Sequence, residues 1–130
     1  MINQEDPNHE QVSIFFNRLE ILTDEEKDVL QRNISKLMQD AAWKSMMANA
    51  WHSAGYAARN SVRNLAWISA RNSARNLGET VALFPSREAA RTSGALVVRD
   101  LISSKDFEIL IAPCRFLLEE LGIVEPQEEQ

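Results

Sequence analysis

The chain has 130 residues, 45% apolar and 25% charged, which suits one soluble domain that closes a single hydrophobic core without a metal. One cysteine, Cys114, excludes an internal disulfide framework, and no apolar run approaches the roughly 20 residues that span a bilayer. The net charge of −5 is unevenly spread: residues 1–40 carry −5, residues 41–78 carry +5 without a single acid, residues 79–112 carry −1 and residues 113–130 carry −4.

The polar, acidic start (MINQEDPNHE) has neither a secretory nor a lipidation signal, so a cytoplasmic location with no membrane association is expected. Residues 1–9 read as a flexible tail, residues 10–122 as the helical domain and residues 123–130 as a flexible acidic tail. Val12, Phe15, Phe16, Leu19 and Leu22 follow the i, i+3, i+4, i+7 pattern of an amphipathic helix. Thr23 and Glu26 then form a capping-box signature for a second helix, which would bury Val29, Leu30, Ile34, Leu37 and Met38.

No proline interrupts residues 24–77, yet one straight helix of that length would run about 80 Å, too long for a domain of this size. Breaks are expected near Asp40 and at Ser53-Ala54-Gly55, giving helices over 24–39, 41–53 and 55–77. Gly78 reads as a C-terminal cap, residues 83–85 as a connection and Ser86 as the N-cap of a helix over 87–102 presenting Ala90, Leu96, Val97 and Leu101. Ser104 would cap a last unit over 105–121, split before Pro113 and ended by Gly122. Strands are expected nowhere; the fold class is all-α, a single-domain antiparallel bundle of five to seven helices.

Residues 42–77 repeat a four-residue unit. Its first column holds Ala42, Met46, Ala50, Ala54, Ala58, Val62, Ala66, Ala70 and Ala74, and its second holds Trp43, Met47, Trp51, Gly55, Arg59, Arg63, Trp67, Arg71 and Arg75. The octet ARNSVRNL at residues 58–65 returns as ARNSARNL at residues 70–77. Small residues every fourth position let another helix approach closely. Four residues advance about 400°, so each column drifts by about 40° per unit, which calls for a break or for neighbours on several sides and puts this segment near the middle of the bundle. Two readings of the second column follow. Either its arginines pair with the acidic outer segments, or Trp43, Trp51, Arg59, Arg63, Trp67, Arg71 and Arg75 make a partner-binding surface, Trp and Arg being the types most frequent at binding hot spots.

The patterns that carry catalysis are not met. His9, His52 and Cys114 lack the spacing of metal ligands, the four glycines are scattered, and no serine has the setting of a nucleophile elbow. The expectation is a non-enzymatic binding protein with no metal and no cofactor. Three kinds of partner stay open: another protein, a second copy of the chain packed through the alanine column, or nucleic acid on the arginine-rich helix, the last opposed by the acidic whole.

The tetrads, followed by ALVVRDLIS at residues 95–103 and then Phe107, Leu110 and Pro113, resemble the immunity proteins of bacterial polymorphic toxin systems over residues 41–115. The chain departs from that pattern at Cys114, where an aromatic is expected, and in a third column rich in Asn instead of Asp. The resemblance implies a small helical protein that neutralises a cognate toxin by stoichiometric binding and has no catalytic residues. With such a partner, the acidic ends would speed capture of a basic toxin by electrostatic steering.

Overall fold

Seven α-helices follow one another in the computed structural model, which describes residues 8–80 and 85–126: α1 (His9–Leu19), α2 (Asp24–Met38), α3 (Ala41–Arg59), α4 (Asn64–Thr80), α5 (Ser86–Val97), α6 (Ser104–Ile111) and α7 (Arg115–Glu120), with a 3-10 turn (Ala112–Cys114) between the last two. No strand occurs among the described residues, as the helical periodicity requires. The expected tails at residues 1–7 and 127–130 and the connection at 83–84 lie outside the described residues. The folded body reaches further than the sequence suggests at both ends, to a buried Asn8 and a buried Val124.

Caps written in the sequence start several helices. Thr23 accepts from the Glu26 amide at 3.1 Å while the Glu26 carboxylate accepts from the Thr23 amide at 2.9 Å, a complete capping box. Asp40 caps α3 through the Trp43 amide, and Ser103, one residue before the expected Ser104, caps α6 through the Asp106 amide. Ser86 is the first residue of α5 and makes no side-chain cap; Pro85 holds the cap position. Gly122, at φ +73°, closes α7 in a Schellman motif: its amide donates to Glu119 and that of Ile123 to Leu118.

The break in the long proline-free segment falls at residues 60–63, not at Gly55. Side chains end α3 there by capturing its last carbonyls: Asn60 Nδ2 donates to Tyr56 and the Ser61 hydroxyl to Ala58, and Ser61 Oγ in turn accepts from the Arg63 amide. Gly55 stays inside α3, with the Trp67 ring and the Arg59 guanidinium over it; a Cβ at this position would stand 3.2 Å from an Arg59 nitrogen and 3.7 Å from Trp67. Gly78 is likewise inside α4, where a Cβ would come within 2.6 Å of that of Ser86.

The centre of the bundle is α5, not the tetrad segment. Every residue from Thr92 to Val98 is buried, and α1, α3, α4, α6 and the 3-10 turn all pack on this helix. Its small residues, Ala89, Ser93, Gly94 and Ala95, and the facing Ala70 and Ala74 of α4 let the two axes approach closely. α3 lies mainly against α6. Two residues expected in the core are exposed: Leu101 follows the end of α5 at Val97, and Met38 is the last residue of α2.

Arginines outside the tetrads hold the acidic ends. Arg18 of α1 binds Glu26 and, at 2.8 Å, Glu120, so one guanidinium ties α1, α2 and α7 and holds the Glu26 carboxyl below its ordinary pKa. Arg115 pairs with Glu108 and Glu119. Arg99 donates to Gln11 and to the Ile123 carbonyl while lying over the Phe107 ring at 4.6 Å.

Candidate functional site

The second column of the repeat divides into three parts. Trp43, Met47 and Trp67 are core residues, and Trp51 is half-buried. Trp51 and Trp67 stack with ring centroids 4.6 Å apart and an interplanar angle of 31°. Both rings lie over Gly94 of α5, where an added Cβ would meet Trp67 at 2.8 Å and Trp51 at 3.1 Å. Of the two readings of the second column, these tryptophans follow the structural one and lock α3, α4 and α5 together. The first column is used in the same way: Ala50, Ala54, Ala58, Ala70 and Ala74 are buried within the chain, so the alanine seam expected for self-association is occupied by its own neighbours.

Arg63 forms the second part. Sitting just before α4, it clamps the Asp100 carboxylate with both terminal nitrogens, the longer contact being 2.7 Å. It also reaches the Val97 carbonyl at the C-terminus of α5, a position where a cation complements the helix dipole. Asn8 donates to the same carbonyl at 3.1 Å and to Asp100 at 3.0 Å, so α1, the α3–α4 connection and the end of α5 share one polar node. Hydrogen bonds from Arg63, aided by Asn8, hold the Asp100 carboxyl at about 2, below its ordinary 3.8. Stability from this depressed group is full above pH 4 and is lost as pH falls towards 2. The Asp100 side chain is 49% exposed, so solvent screening limits the contribution to about 1 kcal/mol. Acid titration of unfolding stability should show this loss between about pH 4 and pH 2, and Asp100→Asn should flatten that part of the profile by about the same amount.

Arg59, Arg71 and Arg75 form the third part, exposed and without a carboxylate at ion-pair distance among the described residues. The contacts of Gly78 with Ser86 and of Trp67 with Gly94 set α4 and α5 antiparallel. At about 100° per residue, Arg71 and Arg75 then leave α4 on the flank where Trp51 sits. Arg87 and Arg91 leave α5 on that same flank, within about 20° and 60° of Gly94. Arg87 is exposed; Arg91 is half-buried, its pKa lowered by desolvation against the opposing influence of Glu88 one turn away. Neither is ion-paired among the described residues. The two α5 arginines were not among the sequence candidates. Their i, i+4 spacing was the available signal, but only the α4–α5 register joins them to Arg71 and Arg75.

Large apolar side chains are exposed on the same helices and on the connection between them. Of nine such residues among those described, four fall within residues 56–68: Tyr56 (62% exposed), Val62 (66%), Leu65 (79%) and Ile68 (43%). Ile68 shares the outer side of α4 with Arg71 and Arg75, and Leu65 stands on the rim of a groove of about 720 Å³ on the opposite flank, between α1 and α4. That groove is floored by Phe16, Ala66, Ala70 and Leu77 and edged by hydroxyl and amide side chains such as Ser69 and Asn76. Cys114 is buried, which pushes its thiol up to about 12 and keeps it unreactive. No helix among the described residues is long and apolar enough to cross a membrane, and no group of three or more His, Cys, Asp or Glu among them could hold a metal ion.

Comparison of the chain with protein-family models, with curated proteins and with solved structures finds no match.

Proposed function

We propose that this chain is a non-enzymatic binding protein that neutralises a bacterial toxin by one-to-one blockade, in the manner of the immunity proteins its sequence resembles. The observation that carries the reading is the concentration of exposed Tyr56, Val62, Leu65 and Ile68 within residues 56–68, on helices that also carry the exposed Arg59, Arg71 and Arg75. A protein interface combines these two elements, apolar and aromatic anchors that release water and arginines that set orientation. The acidic ends remain suited to steering, but exposed carboxylates alone contribute little binding energy, which favours the α3–α4 face as the contact. The well-packed Trp51–Trp67–Gly94 junction beneath would hold that face in one shape before a partner arrives, which lowers the entropy lost on binding.

The test is co-expression with whichever toxin-like gene adjoins this protein's own, scored by cell growth and by gel filtration with light scattering. Restored growth and a one-to-one complex are expected. Val62→Asp with Leu65→Asp should weaken the complex by about 100-fold, at roughly 2.7 kcal/mol, while leaving the thermal midpoint of the free protein within a few degrees. A wild-type chain that neither restores growth nor co-elutes would rule the function out; a double variant that binds as well as wild type would move the contact elsewhere.

A further inference from the structure

Five arginines extend from the tryptophan junction along one flank of three helices: Arg59 from α3, Arg71 and Arg75 from α4, Arg87 and Arg91 from α5. The Arg59 guanidinium lies over Gly55 close to the Trp67 ring, marking one end of the group. The antiparallel register then sets Arg71 across the α4–α5 seam from Arg91, and Arg75 across from Arg87. Residues as small as Ala74, Gly78 and Ala90 on the packed faces let the two helices approach closely, which places these four positions along one flank of the seam. Like charges brought together in this way repel, and no carboxylate among the described residues offsets them by an ion pair. By contrast, Arg18, Arg63 and Arg115 are each bonded to a carboxylate.

We propose that this flank receives a carboxylate-rich segment of the partner protein, held by guanidinium–carboxylate forks from Arg71, Arg75, Arg87 and Arg91. The assignment rests on the reading of the α3–α4 face as the protein-binding face and names the chemistry of what docks there. Charge complementarity selects an anionic occupant, and two features select protein over nucleic acid. The patch is small and set in a molecule of net charge −5, whereas a duplex, with a charge about every 1.7 Å, would run past the patch onto acidic surface. Exposed Ile68 beside Arg71 and Arg75 supplies an apolar contact that a phosphate backbone does not use. The forked, planar guanidinium suits carboxylates because it binds both oxygens at once.

The full-length chain is titrated at low salt with a labelled oligoglutamate peptide and, in parallel, with single-stranded DNA of equal charge, both followed by fluorescence anisotropy. Saturable peptide binding is expected, weakened about tenfold or more in Arg71→Glu/Arg75→Glu and changed less than about twofold in Lys36→Glu/Lys105→Glu, which reverses exposed charges elsewhere. The milder Arg71→Gln/Arg75→Gln, at positions with no internal partner, should show the same loss with an unchanged thermal midpoint and so separates lost binding from lost folding. Absence of peptide binding, equal loss in both charge-reversal pairs, or DNA binding tighter than peptide with the same arginine dependence would each overturn the proposal. A toxin complex that survives Arg71→Glu/Arg75→Glu but not Val62→Asp/Leu65→Asp would overturn this inference while leaving the functional reading in place.

Discussion

Trp67→Ala is expected to cost about 4 kcal/mol, near the middle of the range for a fully buried aromatic side chain, and so to lower the thermal midpoint by roughly 10–20 °C. The ring is 4% exposed, stacks on Trp51 and lies against two glycines, Gly55 on α3 and Gly94 on α5. Glycines have no side chain that can swing into the space the indole leaves, so the cavity persists and the cost stays high. Thermal unfolding followed by circular dichroism measures it. A loss below about 1 kcal/mol would mean that the junction does not hold α3, α4 and α5 together.

Gly94→Val should act on the same junction from the other side. Glycine in a helix interior is ordinarily a liability, and replacing it with a better helix former is stabilising where there is room. Here the first added carbon would stand 2.8 Å from Trp67 and 3.1 Å from Trp51, and rigid rings cannot yield as a flexible side chain can. Overpacking should outweigh the gain in propensity and cost about 3 kcal/mol, the upper end of its usual range. Combining Trp67→Ala with Gly94→Val tests the shared cause: the new side chain occupies part of the vacated space, and the pair should cost at least about 1 kcal/mol less than the sum of the two single changes. Simple additivity would show that the two residues do not contend for the same volume.

These residues also show where the sequence was readable. Fold class, the Thr23–Glu26 capping box, the split at Pro113 and the stop at Gly122 depend on local chemistry and could be read along the chain. The break between α3 and α4 was misplaced because Gly55 has the weaker helix propensity, while the actual break is made by Asn60 and Ser61 turning back on α3. Propensity is visible residue by residue; the packing of Trp67 and Arg59 over Gly55 exists only after folding. The central position of α5 was hidden for the same reason, since Thr92, Ser93 and Gly94 look like a polar surface until helices close around them. Of the seven candidate residues, Trp43 and Trp67 entered the core, Trp51 its edge, and Arg63 the node with Asp100, leaving Arg59, Arg71 and Arg75 on the outside. A four-residue column drifts around the helix, so residue type and spacing identified the segment without telling its inner side from its outer one.

The position of α5 in the chain governs how this molecule comes into being. The hub of the bundle begins at Ser86, so the ribosome delivers four helices before the element around which they close. At about 5–20 residues per second, roughly 2–9 s pass between synthesis of Trp51 and completion of α5 at Val97, and over that interval the alanine faces and the Trp51 and then Trp67 rings lack their cover. A chain stopped before α5 is therefore expected to offer these uncovered faces to holding factors and proteases.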